Sequence, residues 1–296
     1  MLWTKLRADE FPAAIERSKG LCVVPISCLE KHGPHMPVGT DYIIAMDIVQ
    51  EAAKQEDVVI FETGPWLGDV VGNHSLGPLN GSGMSGYIAL KPQFIMPILE
   101  NLCDEIARNG FRKILFVNQH GGNSSVLGFF LRAQCYEKKG YATLSIGATD
   151  KSRCAPKTFY PWVLEHREDF PELTEEDMAF IEKFGQPGIV DGHAGYRETA
   201  MVMAFHPEMI AMDRVELEES LSTHRADYLE KAGINFGASW GNNYPNAYHG
   251  TAPVGMNQRI AKAIARLSVE RKVNIFRLLK EDEDCVRMAN RLPKED

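Results

Sequence analysis

The chain has 296 residues, 44% of them hydrophobic, enough to bury a sizeable core in one large domain or two small ones. A net charge of −8 with a pI near 5.7, and no basic patch, argues against a nucleic-acid partner. No apolar stretch is long enough to span a bilayer, so no membrane partner is expected.

The N-terminal stretch Met1 to Glu10 lacks the long apolar region of a signal peptide. Cys22, Cys28, Cys103, Cys135, Cys154 and Cys285 form no CxxC pair, which suits reduced thiols in a cytoplasmic protein. An apolar run at 21–26, bounded by Gly20 and Ser27, predicts a buried strand. A helix is predicted over 41–55 from Ile44, Ile48 and Ala52, with Thr40 or Asp41 as its cap. A second strand is predicted at 58–61. Phe94, Ile95, Ile98, Leu99, Leu102 and Ile106 form a helical stripe that ends at Gly110.

A strand at 113–118, a helix over 123–139 stopped by Gly140, and a strand at 141–146 follow. Strand alternating with helix predicts a mainly parallel sheet with helices on both faces. Residues 151–187 read as an irregular insertion holding one short acidic helix near 174–184. Residues 199–204 read as a strand or helix. Residues 237–255, rich in Gly, Asn and Tyr, read as a long loop. Residues 257–281 predict a closing helix with Ile260, Ile264, Leu267, Ile275 and Leu279 inward. No linker or repeat interrupts the chain, so 1–296 is expected to form one domain.

Three loops carry the chemistry. Glu30-Lys31-His32-Gly33-Pro34-His35 through Gly39-Thr40-Asp41 follows the first strand and joins carboxylates to an imidazole, a donor set suited to Zn²⁺, Mn²⁺ or Fe²⁺. Gln119-His120-Gly121-Gly122-Asn123 follows a later strand. The third is Asp191-Gly192-His193-Ala194-Gly195-Tyr196-Arg197-Glu198-Thr199. In parallel sheets, ligands collect beyond the carboxyl ends of the strands, where the first two loops begin. Plainer readings stand beside these. Asp41 could be a helix cap, Glu198 a surface partner of Arg197, and His120 a structural histidine. His193 could be ligand, acid–base group or structural. His35 reads as a supporting residue, His74 as a candidate pocket residue, and Cys28 as a small buried thiol. The Trp240–Tyr244 stretch could be a lid, a subunit contact or ordinary packing.

The three motifs, in this order and spacing, resemble those of the creatininase (creatinine amidohydrolase) family from about Val24 to about Pro207. The resemblance implies a three-layer α/β/α fold, a divalent metal centre often of two ions, hydrolysis of amide-type bonds, and a homo-oligomer. By the same resemblance Asp41 would bridge the ions, Glu30 and His120 would hold one, and His32 and Glu198 the other. His193 would then pass a proton to the leaving nitrogen. Several positions depart from the family pattern: Lys31, Tyr196, Ala200, the segment from Gly83 to Ile88, and Gly121-Gly122 in place of a Tyr-Glu pair. The last removes a carboxylate beside His120. The expected function is a metal-dependent amidohydrolase of a small cyclic or linear amide, acting through metal-activated water. Its rivals are a deformylase or peptidase on the same scaffold, and a non-catalytic metal-dependent binding protein.

Overall fold

The structure is a computed structural model that describes residues 1–68, 86–88 and 90–290. His74 and residues 83–85 lie outside the described residues. In chain order the elements are α1 (Phe11–Arg17), β1 (Leu21–Ile26), α2 (Thr40–Ala53), β2 (Val59–Ile60), α3 (Pro92–Arg108) and β3 (Lys113–Asn118). There follow α4 (Asn123–Ala133), β4 (Ala142–Gly147), α5 (Lys151–Cys154), α6 (Pro156–Glu165), α7 (Glu175–Phe184) and α8 (Tyr196–Phe205). The chain continues through α9 (Asp227–Lys231), α10 (Ser239–Asn243), α11 (Gln258–Glu281) and α12 (Cys285–Ala289).

The sheet has strand order β2-β1-β3-β4 and is parallel throughout. β1 is buried at every position, as an inner strand must be. It runs in register with β3 from Leu21 opposite Lys113 to Ile26 opposite Asn118. Pro25 sits in this strand without breaking it. The pairing of β1 with β2 ends at Val23 opposite Ile60, so no ladder bond is required of the missing N–H on that side. The Pro25 carbonyl instead accepts from Thr63 Oγ1 at 2.7 Å.

Side chains alternate across the sheet and so define two cores. Leu21, Val23, Leu115 and Val117 face the layer built by α2, α8 and α11. Cys22, Val24, Ile26, Ile114 and Phe116 face α1, α3 and α4. This is the three-layer α/β/α arrangement expected from the sequence. α11 starts at an Asn257 cap whose side chain accepts from the N–H groups of Arg259 and Ile260. Ile260, Ile264, Leu267 and Leu279 are buried as anticipated, but Phe276 takes the inward position that had been assigned to Ile275, which is half-buried.

Three expectations need correction. Residues 151–187 are not irregular: α5, α6 and α7 lie there, and Phe159, Val163, Phe170, Leu173, Ile181 and Phe184 all enter the core. Pro156 occupies the first turn of α6, where its missing N–H costs nothing, so a residue read as a breaker starts a helix. The helix predicted over 123–139 ends at Ala133 and passes into a 3₁₀ turn at Gln134–Tyr136. Tyr136 is 92% exposed, so no apolar stripe supports further turns. The 237–255 loop contains α10 and a bridge from Gly250 to Asp191. The acidic helix holds as read, with Thr174 and Asp177 forming a capping box, and 199–204 is the body of α8.

Candidate metal centre

The sheet order reverses direction between β1 and β3, and α2 and α4 leave these strands on opposite faces. Such a switch point opens a crevice beyond the strand ends. The loop after β1 is closed by the Glu30 N–H donating to the Val38 carbonyl at 3.0 Å and by a bridge between His32 and Met36. Gly33 turns it at φ +58°, a conformation that favours glycine. The cap of α2 is Gly39, with no side-chain bond; neither Thr40 nor Asp41 caps it. The Asp41 carboxylate, 1% exposed, is turned into the crevice instead.

The loop after β3 supplies His120. Its carbonyl accepts from Asn118 Nδ2 at 2.7 Å, which fixes the turn leading to α4. The third segment is a tight turn in which the Gly195 N–H donates to the Gly192 carbonyl at 3.0 Å. Ala194 takes φ +59°, and its N–H donates to Glu198 Oε2 at 2.7 Å. Arg197 pairs with Asp191 rather than with Glu198, so Glu198 is not held in the surface pair the plainer reading offered.

These segments bring Glu30, His32, Asp41, His120, His193 and Glu198 together. Asp41 Oδ1 lies 3.4 Å from His32 Nε2, and Asp41 Oδ2 lies 3.2 Å from His120 Nδ1. His120 Nδ1 is also 2.9 Å from Glu30 Oε1, and His32 Nε2 is 3.7 Å from Glu198 Oε2. Two donor sets that could hold an ion therefore share Asp41: Glu30, Asp41 and His120, with Cys28 beside them, and His32, Asp41 and Glu198. A third combines Glu30, His32 and His193. Cys28 Sγ lies 3.5 Å from Asp41 Oδ2, and burial pushes its thiol far above the ordinary range, as suits a small buried thiol.

The tautomers follow from backbone carbonyls, which only accept. His32 Nδ1 lies 3.1 Å from the Glu30 carbonyl and must carry the hydrogen when the ring is neutral. Its lone pair on Nε2 then faces carboxylates of Glu30, Asp41 and Glu198, all within 4.0 Å. That nitrogen is buried and makes no hydrogen bond of good geometry. Lone pairs facing carboxylates in a buried site repel unless a cation lies between them.

The ionisation behaviour carries the same demand for positive charge. Burial disfavours charged His32, but Asp41, Glu198 and Glu30 outweigh it and raise its pKa to about 9. Burial likewise opposes charge on His120, yet Glu30 and Asp41 hold it well above its ordinary value. Burial pushes Asp41 up, but His32 and His120 keep it well below the carboxylate range. Protons or metal ions satisfy this demand, and the donor set of carboxylate oxygens and imidazole nitrogens fits a divalent ion.

His193 lies over this cluster. Its ring is 4.1 Å from that of His32, and its Nε2 lies 2.8 Å from the Lys31 carbonyl. That contact leaves Nδ1 as the basic nitrogen of the neutral ring, 3.7 Å from Glu30 Oε1. His35 stands behind the cluster, 3.0 Å from Thr199 Oγ1, in the supporting position read from the sequence. A cavity of about 790 Å³ opens in front, lined by Glu30, His120, His193 and Glu198. Gln119 of the second motif lines it as well, with Ser125, Lys151 and His249, which sequence reasoning did not single out. His249-Gly250 carries the same imidazole-beside-glycine signal that flagged His120. Trp240 forms one wall, edge-on to His193 at 5.1 Å.

Fold and site thus define an α/β protein with a candidate divalent-metal centre at its switch point. The chain belongs to the creatininase family: residues 4–276 match the family described as creatinine amidohydrolase. It is 22% identical to the creatinine amidohydrolase of Pseudomonas putida over 214 residues, covering 71% of this chain and 74% of that one. It is 26% identical over 101 residues to a 3-dehydro-scyllo-inosose hydrolase of Thermotoga maritima, covering 34% of this chain and 30% of that one. A manganese form of creatininase superposes with a TM-score of 0.66 at 17% identity, over 95% of this chain and 99% of that one. A zinc–zinc form of a creatininase variant gives 0.66 at 16% identity, over 95% and 98%. Among the described residues no helix is long and apolar enough to cross a membrane.

Proposed function

We propose that this protein hydrolyses the C–N bond of a small cyclic or linear amide, with two divalent ions, zinc, manganese or iron, held by its own side chains. The observation that carries the reading is the orientation of Asp41, whose two oxygens face two different imidazoles at 3.4 and 3.2 Å. Glu30, Asp41 and His120 would hold one ion; His32, Asp41 and Glu198 the other. Glu30, Asp41 and Glu198 bring three negative charges, which two divalent ions and one hydroxide would neutralise. Zinc and manganese forms among the similar structures, and the name of the Pseudomonas relative, support metal and bond type alike.

Bound ions would supply Lewis acidity toward a carbonyl oxygen and an acidified water at neutral pH. The chain's own residues do the rest. The Lys31 carbonyl orients His193 so that Nδ1 is free to take a proton and return it to the leaving nitrogen. Trp240 covers that ring edge-on and limits water on its side. Self-association, implied by the family resemblance, belongs to the same proposal and is read by light scattering.

The test is elemental analysis of the purified protein, joined to hydrolysis of creatinine, formamides and short peptides with and without chelator. About two ions per chain and chelator-sensitive hydrolysis restored by zinc or manganese are expected. Metal-free protein with full activity would sink the reading. Turnover of a cyclic ketone but of no amide would favour a second reading, to which the Thermotoga relative's name points.

A further inference from the structure

The cavity in front of the cluster is far larger than a five-membered lactam requires. Its volume of about 790 Å³ is in the range of sites that enclose drug-sized ligands. Part of the space follows from Gly121, where an added Cβ would meet nothing within 4 Å. The question is what the remainder of the substrate carries.

The charges on the wall answer it. Glu30 and Glu198 belong to the donor cluster. Asp191 and Arg197 neutralise each other. Gln119 and Ser125 are neutral, His193 faces the donor cluster through Nδ1, and burial, with nearby His193, lowers His249 below an ordinary imidazole. Lys151 is left, and it makes no ion pair or hydrogen bond through its ammonium group among the described residues. Its backbone is not adrift. The neighbouring Asp150 is buried, accepts from the Ser152 N–H at 3.1 Å and Ser152 Oγ at 2.5 Å, and binds Arg153 Nε at 2.7 Å and Arg271 at 3.0 Å. The acid nearest in sequence is therefore fully engaged away from the lysine, on a pinned segment.

We infer that the substrate is an amide bearing a carboxylate, and that Lys151 receives this carboxylate at the cavity wall while the amide lies at the donor cluster. This rests on the amidohydrolase reading above. A single ammonium among neutral donors matches one unit of charge. A phosphate, with nearly two charges and three acceptor oxygens, calls for further cations or a free arginine fork, and the wall's one guanidinium, Arg197, is already held by Asp191.

The test uses the full chain loaded with zinc or manganese, and N-acyl amino acids with one to four methylenes, each paired with its terminal carboxamide. Wild type should prefer the carboxylate of the best-fitting length by about two- to fivefold in kcat/KM, a modest figure because the lysine is solvent-exposed. Lys151→Met should bring that ratio to about one through KM, and Lys151→Arg should keep most of it. Lys157→Met, an exposed lysine on α6 outside the cavity, controls for net charge and should leave the ratio alone. An unchanged ratio in Lys151→Met, a wild-type preference for the carboxamide, or a phosphonate analogue favoured over the carboxylate would overturn the inference. A second arm measures binding of N-acetyl-β-alanine and its carboxamide to chelated protein, where nothing is hydrolysed. Tighter carboxylate binding by wild type than by Lys151→Met supports the lysine's role even if no amide is turned over, which would sink only the hydrolase reading. Equal binding, or none, overturns it.

Discussion

Asp41 ties the two donor sets together, and the first prediction belongs to it. A side chain shared by two coordination shells cannot be removed from one alone, so Asp41→Ala should lose both ions. Glu198→Ala should lose about one, because Glu198 approaches only the His32 side. Elemental analysis separates these outcomes; equal, full metal retention in both variants would refute the shared ligand. His193→Ala should keep its metal and lose turnover by ~10²–10⁴-fold, the usual contribution of a positioned acid–base group. A metal-depleted His193→Ala protein would place the ring in the Glu30–His32 donor set instead.

At the scale of elements, the turn carrying His193 depends on a close approach of two chain segments that leaves no room for a Cβ on Gly192. A Cβ on Gly192 would lie 2.5 Å from the His249 carbonyl oxygen and 2.6 Å from its Nδ1. Relieving that overlap must shift the turn carrying His193 or the chain segment at His249. Gly192→Ala should therefore destabilise by about 1–3 kcal/mol, as overpacked positions do. Gly121→Ala, with open space around the new methyl, should change stability by less than ~0.5 kcal/mol. Thermal melts of the two variants, made on chelated protein so that metal binding does not intervene, give the comparison. Equal melting shifts would contradict it.

At the scale of the whole molecule, α11 packs its long inner face against α2 and α8 and carries one costly residue into the core. Lys272 is fully buried, and its Nζ makes no hydrogen bond. Burial is the main reason its pKa falls to about 7; Arg271 and Arg153 lower it further, while Asp150 and Cys154 oppose them. The folded state thus binds a proton less readily than the unfolded chain between pH ~7 and ~10.4. Stability must rise with pH across that window and reach its lower plateau below pH 7. Lys272→Met should remove this slope and stabilise the protein by a few kcal/mol at pH 6, at ~1.4 kcal/mol per pKa unit, with the gain vanishing above pH ~10.5. Urea melts of both proteins from pH 6 to 10 check it, and a gain independent of pH would show that packing alone is responsible.

What the sequence determined by itself is what short-range physics writes into it. Apolar runs bounded by glycine marked β1 and β3, and helical spacing marked α2, α3 and α11, because side-chain period and backbone geometry are local properties. Clustering of Glu30, His32 and Asp41 in one loop, with His120 and His193 beside glycines, was equally local and therefore legible. Residues 151–187 were misread because their prolines and acids look like loop signals until Phe159, Phe170 and Phe184 find a core to fill. Tertiary structure alone decided which oxygen of Asp41 faces which imidazole, that Arg197 turns to Asp191 and leaves Glu198 to the site, and that His249 and Lys151 share its cavity. Those facts depend on segments up to about two hundred residues apart meeting at one switch point, and no local period encodes such a meeting.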